Sequence, residues 1–349
     1  MRASALTIGS AETADGTGIQ GSMTANFTMG AGILRAESMT IGRIAGAGSI
    51  AGAFGTTGMF TLNHPAGVVE IGNLVLGENS ITASGTSAKS VSGTFALTSG
   101  TLKAATIQRG VQTGNATTIT TRLNWTTGKI QNLDALNLTI LDVPITLLTN
   151  GTHEFRATSL QNIRIAGSST ISGTGFGIQK TGPGVLTIAT SSVNSYTGST
   201  AIYDGTLELD STNLATPTNL LSSSSGLQLG GGTLSVIGKP ASSTSQTFSG
   251  LQVLAGDSAI KVVNDVVPGS TAVLKLGSIT RAVRRRYSGL RASRGNAIDI
   301  QRYHDDFDHP DVIQRHPRRL GDHRERLGDG RFHQHRRLLR IHESCRFER

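Results

Sequence analysis

The feature that most constrains the fold is a short unit, an apolar stretch, a glycine turn and a second apolar stretch, that recurs along most of the chain. Residues 95–103 (FALTSGTLK) align with the later segment 123–131 (LNWTTGKIQ) and with the earlier segment 27–35 (FTMGAGILR). A looser copy begins at Phe60 and reaches Gly67 after a two-residue insertion. Further copies begin at Gly184, Gly205 and Gly232. Repeats spaced by about 20–50 residues are typical of solenoids and propellers.

Each unit predicts a strand, a tight turn and a second strand. Apolar side chains alternate along it, as at Val185 and Thr187 or at Leu207 and Leu209, and period-2 alternation places one face in the core. One unit cannot bury its face alone, but stacked coils bury a continuous apolar column and pair their backbones. A propeller blade needs four strands in about 40–45 residues and a recurring aromatic motif, which this sequence lacks. We therefore predict an all-β fold, a parallel β-helix or β-solenoid over residues 1–280.

Residues 171–210 carry the most specific motif. It consists of KTGPGVLTI at residues 180–188, NSYTGST at residues 194–200 and GTL at residues 205–207. This pattern strongly resembles the autotransporter-associated β-strand repeat, also called the passenger-associated transport repeat. The resemblance implies a right-handed parallel β-helix that is exported to the bacterial cell surface or beyond. It implies no reaction and no catalytic residue, and the looser flanking repeats are similar to those around this motif in large bacterial surface proteins.

The charge of the chain is concentrated at one end. Only 16% of all residues are charged, against about 25% in an average soluble protein. Residues 1–280 hold 14 basic and 13 acidic residues, whereas residues 281–349 hold 18 Arg, no Lys and 10 acidic residues. Seven of the nine His also lie in this second segment. The chain therefore divides near Arg281 into two chemically different parts.

The tail, residues 281–349, is predicted to be disordered and to follow a shift in the reading frame. It has no Thr and is dominated by Arg, His and Asp, a bias that a GC-rich gene produces when it is read out of frame. Back-translating residues 286–290 and shifting the frame by one base returns a strand-like sequence, GTVDF. The alternative is a genuine basic tail that binds nucleic acid or another polyanion. The interspersed Asp and Glu weaken such a field, so we predict no specific nucleic-acid partner.

The rival function is a carbohydrate-active β-helix enzyme, a polysaccharide lyase or hydrolase. Its site would need paired carboxylates, or an acidic cluster that holds Ca²⁺ beside a basic residue. In a strand, Glu154 and Arg156 point to the same face, but a surface ion pair explains them as well. We therefore assign no catalytic, cofactor-binding or metal-binding residue. The best candidate cluster comprises Asp134, Asp142, His153, Glu154, Arg156 and Arg164.

Three other features receive structural interpretations. Trp125 aligns with Leu97 in the repeat, which predicts that it stacks in the apolar column. The Gly-rich segment 173–177 lacks the Lys-Ser/Thr of a phosphate loop and is predicted to be a β-helix corner. The tail histidines show no regular spacing for a metal site; they are His304, His309, His333 and His335.

The ends of the chain affect the expected localisation. Residues 1–10 lack the apolar segment of a signal peptide, and no apolar run reaches the roughly 20 residues of a membrane-spanning helix. The single Cys, Cys345, excludes stabilisation by an internal disulfide. A secreted protein would then need its true start upstream of Met1. We predict a structural, non-catalytic segment of a secreted or surface-displayed β-helix protein that contributes to adhesion. Its expected partners are a cell-surface or extracellular polymer and the rest of a larger parent protein.

Overall fold

Strands from successive coils lie side by side and run in the same direction. The computed structural model of the chain describes residues 1–13, 21–46, 54–81, 89–113, 117–264, 269–282 and 340–341. Every pairing between its named strands is parallel (for example β1 with β3 and β20 with β23). This confirms the predicted all-β solenoid. Its predicted right hand agrees with the general rule for parallel crossovers.

The described residues form 24 strands and one short 3₁₀ helix, η1 (Ser211–Asn213). None of them belongs to a helix with the length and hydropathy needed to cross a bilayer. The strands are β1 (Arg2–Thr13), β2 (Gly21–Met29), β3 (Gly32–Gly46), β4 (Phe54–Ile81), β5 (Lys89–Arg109), β6 (Thr117–Trp125), β7 (Gly128–Asn132), β8 (Leu138–Leu141), β9 (Ile145–Leu147), β10 (His153–Arg156), β11 (Asn162–Gly167), β12 (Ile171–Ser172), β13 (Ile178–Thr181), β14 (Val185–Thr190), β15 (Thr200–Ile202), β16 (Thr206–Asp210), β17 (Leu227–Leu229), β18 (Thr233–Ile237), β19 (Ser243–Thr247), β20 (Gly250–Val253), β21 (Ala259–Val263), β22 (Thr271–Lys275), β23 (Ser278–Arg281) and β24 (Arg340–Ile341).

The register between coils follows the repeat alignments made from the sequence. Phe60 pairs with Phe95, and further along the same two strands Val68 pairs with Thr101. The register shifts between these two pairs, so that β4 contains more residues than β5 over this stretch. This is the predicted two-residue insertion. Because inward and outward side chains alternate, an insertion of this size keeps the apolar face of both halves of β4 in the core.

The coils are shortest in the segment that carries the specific motif. Arg2 pairs with Arg35 in the first coil, whereas Val185 pairs with Thr206, a partner much closer in sequence. The strands of this part of the solenoid are also short, at two to six residues for β7–β16. The chain therefore turns most tightly where the motif lies.

Aromatic side chains stack along the core of the N-terminal coils. The ring of Phe60 lies 5.3 Å from that of Phe27 and 5.1 Å from that of Phe95, centroid to centroid. Phe60 and Phe95 are fully buried, and each buried ring contributes about 1.5–3 kcal/mol. Trp125 pairs in register with Leu97 and is also fully buried, which confirms that it stacks in the apolar column.

In the unit that begins at Gly184, the alternation proposed from the sequence put Val185 and Thr187 on the inward face, but the inward apolar residues are those at the neighbouring positions. Val185 is only half-buried and pairs with Thr206, which is half-buried as well. The fully buried apolar positions are Leu186 and Ile188, which pair with Leu207 and Leu209.

Charged side chains pair on the outward faces of the N-terminal coils. The Glu70 carboxylate lies 2.6 Å from Arg35 Nε and 3.0 Å from Lys103 Nζ, one coil to either side. Burial alone would raise the pKa of Glu70, but Lys103 and Arg35 together hold it below its usual value. Such pairs add at most about 1 kcal/mol each. Their alternating signs favour this register over a slipped one.

The predicted tail lies almost wholly outside the described residues. All described residues belong to one compact unit. The predicted disorder of the tail and its four named histidines concern residues that the structure does not describe. The boundary near residue 280 stays a prediction.

Candidate functional site in residues 171–210

A fully buried lysine lies near the end of the first strand of the motif. On β13, Ile178 and Lys180 both face inward. Lys180 occupies a column that holds Phe155 in the preceding coil and Ile202 in the following coil. Its ammonium group donates to the carbonyl oxygens of Thr181 at 2.9 Å, Gly182 at 2.6 Å and Asp204 at 3.1 Å. These carbonyls belong to the turns of two successive coils, so one side chain joins both turns.

The charge state of Lys180 follows from its burial. Burial lowers the pKa of Lys180 to about 8, and the negative charge of Asp204 opposes that shift. The side chain is therefore still mostly protonated at pH 7. An ammonium group has three hydrogens and needs three acceptors, which is the number of carbonyl groups that surround it.

Glycine permits the two turns to approach this lysine. Gly205 has a positive φ of 64°, a conformation that costs other residues about 1 kcal/mol or more. A Cβ atom at Gly205 would also lie 2.8 Å from Lys180 Nζ and in contact with the carbonyl oxygens of Gly182 and Gly184. The Lys-Thr-Gly-x-Gly and Gly-x-Leu parts of the motif therefore form one packed corner.

A buried asparagine joins three coils at the second part of the motif. Asn194 is fully buried. Its Oδ1 accepts a hydrogen bond from the Ile171 amide at 2.8 Å, and its Nδ2 donates to Thr190 Oγ1 and to the Leu220 carbonyl oxygen, both at 3.1 Å. The side chain thus satisfies backbone groups that the short coils leave unpaired.

A buried tyrosine completes the polar interior. Tyr196 is fully buried, and its hydroxyl lies 2.7 Å from Thr200 Oγ1. Thr200 Oγ1 lies 3.1 Å from Ser225 Oγ, which donates to the Gly198 carbonyl oxygen at 2.7 Å. Burial raises the pKa of Tyr196 well above its usual value, while the hydrogen bonds to Thr200 and Ser225 act in the opposite direction. The phenol stays neutral, and the chain of hydroxyl groups serves to hold the turn.

His153, one of the predicted cluster residues, is a core residue. It is almost fully buried, and its Nδ1 and Nε2 lie 3.0 Å from the Gly177 oxygen and 3.1 Å from the Trp125 oxygen. Its ring packs edge-on against the Trp125 ring, with 5.3 Å between centroids. Burial lowers the pKa of His153, and these carbonyl groups oppose the shift. Since both ring nitrogens face protein carbonyls, neither nitrogen faces a substrate.

The other members of the predicted cluster have separate partners. Glu154 lies 3.4 Å from Lys129 Nζ, one coil earlier, and accepts a hydrogen bond from Thr181 one coil later. Arg164, on another strand, lies 3.6 Å from Asp210.

Asp142 lies in a turn and accepts hydrogen bonds from the Ser168 amide and hydroxyl, while Asp134 and Arg156 are exposed. The structure therefore does not join these residues in one groove. Among the described residues, no three His, Cys, Asp or Glu side chains form a group suited to a metal ion.

Inward-facing polar groups are the part of the site that the residue pattern alone did not reveal. The sequence contained one signal of the inward lysine, because Lys180 is two residues after Ile178 and alternate residues of a strand point to the same face. The Gly-rich segment 173–177 contains the turn between β12 and β13, where a corner was predicted.

We predict that Lys180→Met lowers the free energy of unfolding by about 1–3 kcal/mol, because the buried carbonyl group of Gly182 and the partly buried carbonyl groups of Thr181 and Asp204 lose their donor. Urea unfolding followed by the fluorescence of the single, buried Trp125 measures this change. The control is Lys129→Met, whose ammonium is partly exposed and paired with Glu154, and it is expected to cost at most about 1 kcal/mol. Equal effects of the two substitutions would contradict the role assigned to Lys180.

The difference in stability between the native protein and Lys180→Met is predicted to depend on pH. The pKa of Lys180 is about 8 in the folded chain and 10.5 in the reference state, so the unfolded chain binds more protons between these values. Stability of the native protein should therefore rise, relative to Lys180→Met, as the pH increases from 8 to 10.5. Urea midpoints at pH 7, 8, 9 and 10 measure the gap between the two proteins. A gap that stays constant would show that folding does not shift the pKa of Lys180, and a gap that narrows would show that folding raises it; either result would contradict the prediction.

Comparison with known proteins identifies the motif. The family model of the Passenger-associated-transport-repeat matches residues 178–209, the segment that contains the buried lysine, asparagine and tyrosine. The chain is also 41% identical over 87 residues to the Adhesin BmaC autotransporter of Brucella suis biovar 1 (strain 1330). That match covers 25% of this chain and 2% of the adhesin. No solved structure matches the chain significantly. Residues 178–209 therefore form a passenger-associated transport repeat, and a quarter of the chain is similar to part of an autotransporter adhesin.

Proposed function

We propose that the chain is a structural segment of a surface-displayed bacterial passenger and that it contributes to adhesion without catalysing a reaction. The repeat and the likeness to an autotransporter adhesin support this proposal. The chain corresponds to only a small part of that adhesin, so its further partner is the rest of a larger parent protein. Its external partner is a cell-surface or extracellular polymer.

The observation that carries the proposal is the use of the motif's polar groups. The Lys180 ammonium, the Asn194 amide and the Tyr196 hydroxyl are all fully buried, and each is bonded within the solenoid. A catalytic group must instead reach a substrate. The motif thus stabilises tightly wound coils, as expected for a scaffold that holds its outward faces in fixed positions.

A carbohydrate-active enzyme would need a different arrangement. Two carboxyl groups that share one sugar linkage lie about 5–10 Å apart across a groove. Here Glu154 pairs with Lys129, and Asp210 pairs with Arg164. These side chains already have partners on adjacent coils, which supports an ion-pairing role that sets register over an acid–base role.

Surface display tests the proposal. We expect the full chain, placed between a signal peptide and an outer-membrane translocator in a Gram-negative host, to become accessible to antibody and to protease on intact cells. Cells should then adhere several-fold more to surfaces coated with extracellular polymers. The control is Tyr196→Asp, which buries an unpaired charge and should unfold the repeat.

Each outcome of that experiment separates one part of the proposal. A chain that never reaches the surface would contradict the passenger role. A displayed chain without increased adherence would contradict the adhesive role. New reducing or unsaturated ends in polysaccharides incubated with the purified chain would favour the enzyme.

We also propose that the solenoid ends near residue 280 and that residues 281–349 result from a shifted reading frame. We expect DNA sequencing over codons 275–300 to reveal a one-base gain or loss that restores a Thr-rich frame. An intact frame in independent reads would support the alternative, a basic tail. Binding of that tail to DNA would weaken steeply with salt.

A further inference from the structure

A shallow groove crosses the outward face of four successive coils near the C-terminal end of the described solenoid. Its floor and walls come from Ser199 and from the strands β17, β20 and β23. Gln228, Gln252 and Thr280 occupy one outward column, paired in register. The groove has a volume of about 200 Å³, which is below the roughly 300–1,000 Å³ of most small-molecule pockets. It is therefore better suited to a chain that lies across the coils than to an enclosed ligand.

The lining of the groove is polar and uncharged. It combines the amide side chains of Gln228 and Gln252 with serine hydroxyls, and no Asp, Glu, Lys or Arg contributes to it. Among the described residues, neither amide group forms a hydrogen bond, nor do the hydroxyls of Ser199, Ser249 and Ser278, whereas the Thr280 hydroxyl donates to the Leu251 carbonyl oxygen at 3.3 Å. Each amide can both donate and accept. The groove therefore offers free hydrogen-bonding groups and has no charged side chain in its lining.

The outward face of the N-terminal coils differs in this respect. There Glu70 pairs with both Arg35 and Lys103, so the polar groups already satisfy one another. In the groove the lining residues of the successive coils carry no such pairs. Charge complementarity thus favours a neutral ligand at the groove.

The spacing of the coils suits a linear glycan. Parallel strands lie about 4.8 Å apart, which is close to the length of one sugar unit in an extended polysaccharide. The distance between Gln228 and Gln252 on adjacent strands therefore matches the distance between equivalent hydroxyl groups on successive sugar units. The backbone groups of β17 and β20 are bonded to strands on both sides, so a peptide cannot add to them as a further strand.

An aromatic ring lies close to this column, outside the lining of the groove itself. Tyr203 directly follows β15 and is 38% exposed. Its ring covers Gly230 of the following coil, because a Cβ atom at Gly230 would lie 2.7 Å from Tyr203 Cδ1. Gly230 lies two residues after Gln228. Aromatic rings with one apolar face and a polar tip are suited to partly wet binding surfaces.

We propose that this groove binds an uncharged, unbranched polysaccharide that lies across the coils, with Gln228 and Gln252 bonding its hydroxyl groups and Tyr203 packing against a sugar ring. The inference rests on the proposed function in one respect, since it names the class of polymer that the surface segment binds.

The test uses the purified full chain with cellohexaose and chitohexaose as neutral probes and hexagalacturonate as an anionic probe. Binding is measured by saturation-transfer NMR and by titration. We expect the neutral probes to bind and the double variant Gln228→Ala/Gln252→Ala to weaken that binding roughly tenfold, as the loss of two hydrogen bonds predicts. Tyr203→Ala should weaken it as well.

The matched control is Gln131→Ala, an outward glutamine on β7, which lies several coils before the groove and outside its lining. It should leave binding unchanged, and circular dichroism verifies that each variant is folded. No binding of either neutral probe, preferential binding of hexagalacturonate, or binding that the groove variants do not change would each overturn the proposal. Surface display and adherence are measured separately on cells, so a groove that fails this test leaves the passenger role intact.

Discussion

The structure depends on parallel pairing between coils in fixed register. A single coil of this chain has an apolar face and two open backbone edges, and neither can be satisfied within the coil. Stacking satisfies both at once, because the same translation that pairs the backbone groups also superimposes inward side chains. The stack of Phe27, Phe60 and Phe95 follows directly from this constraint. So does the bulge in β4, which absorbs two extra residues without turning the apolar face outward.

Short coils create a second requirement that apolar side chains cannot meet. Where the coil is shortest, between Val185 and its partner Thr206, tight turns leave backbone carbonyl and amide groups facing the interior. A buried group of this kind costs about 1–3 kcal/mol if it stays unpaired. Lys180 and Asn194 satisfy several such groups in adjacent coils, which explains why a lysine stands in a column otherwise occupied by apolar side chains. The specific motif is therefore a solution to tight winding.

The parts of the structure that could be predicted are those that depend on alternation and spacing. The pairing of Phe60 with Phe95, the insertion before Val68 and the burial of Trp125 all follow from aligning the repeats. The cluster around Glu154 could not be resolved in this way, because residues near in sequence can join different coils. Glu154 bonds to Lys129 and Thr181, roughly one coil away on either side. Inward lysine and histidine residues were also missed, since hydropathy assigns them to the surface by default.

The division between inward and outward positions limits where function can reside. Inward positions must satisfy the coil above and the coil below, so a change at Lys180 or Tyr196 alters packing in three coils. Outward positions carry no such demand, and their chemistry differs between parts of the chain. Around Glu70 they hold opposite charges that bond to one another. Around Gln228 and Gln252 they hold uncharged groups, and the two glutamine amide groups form no hydrogen bond with other described residues. Because the backbone of both regions is the same parallel ladder, this difference reflects the side chains alone, and it leaves the groove at β17 and β20 available for an external partner.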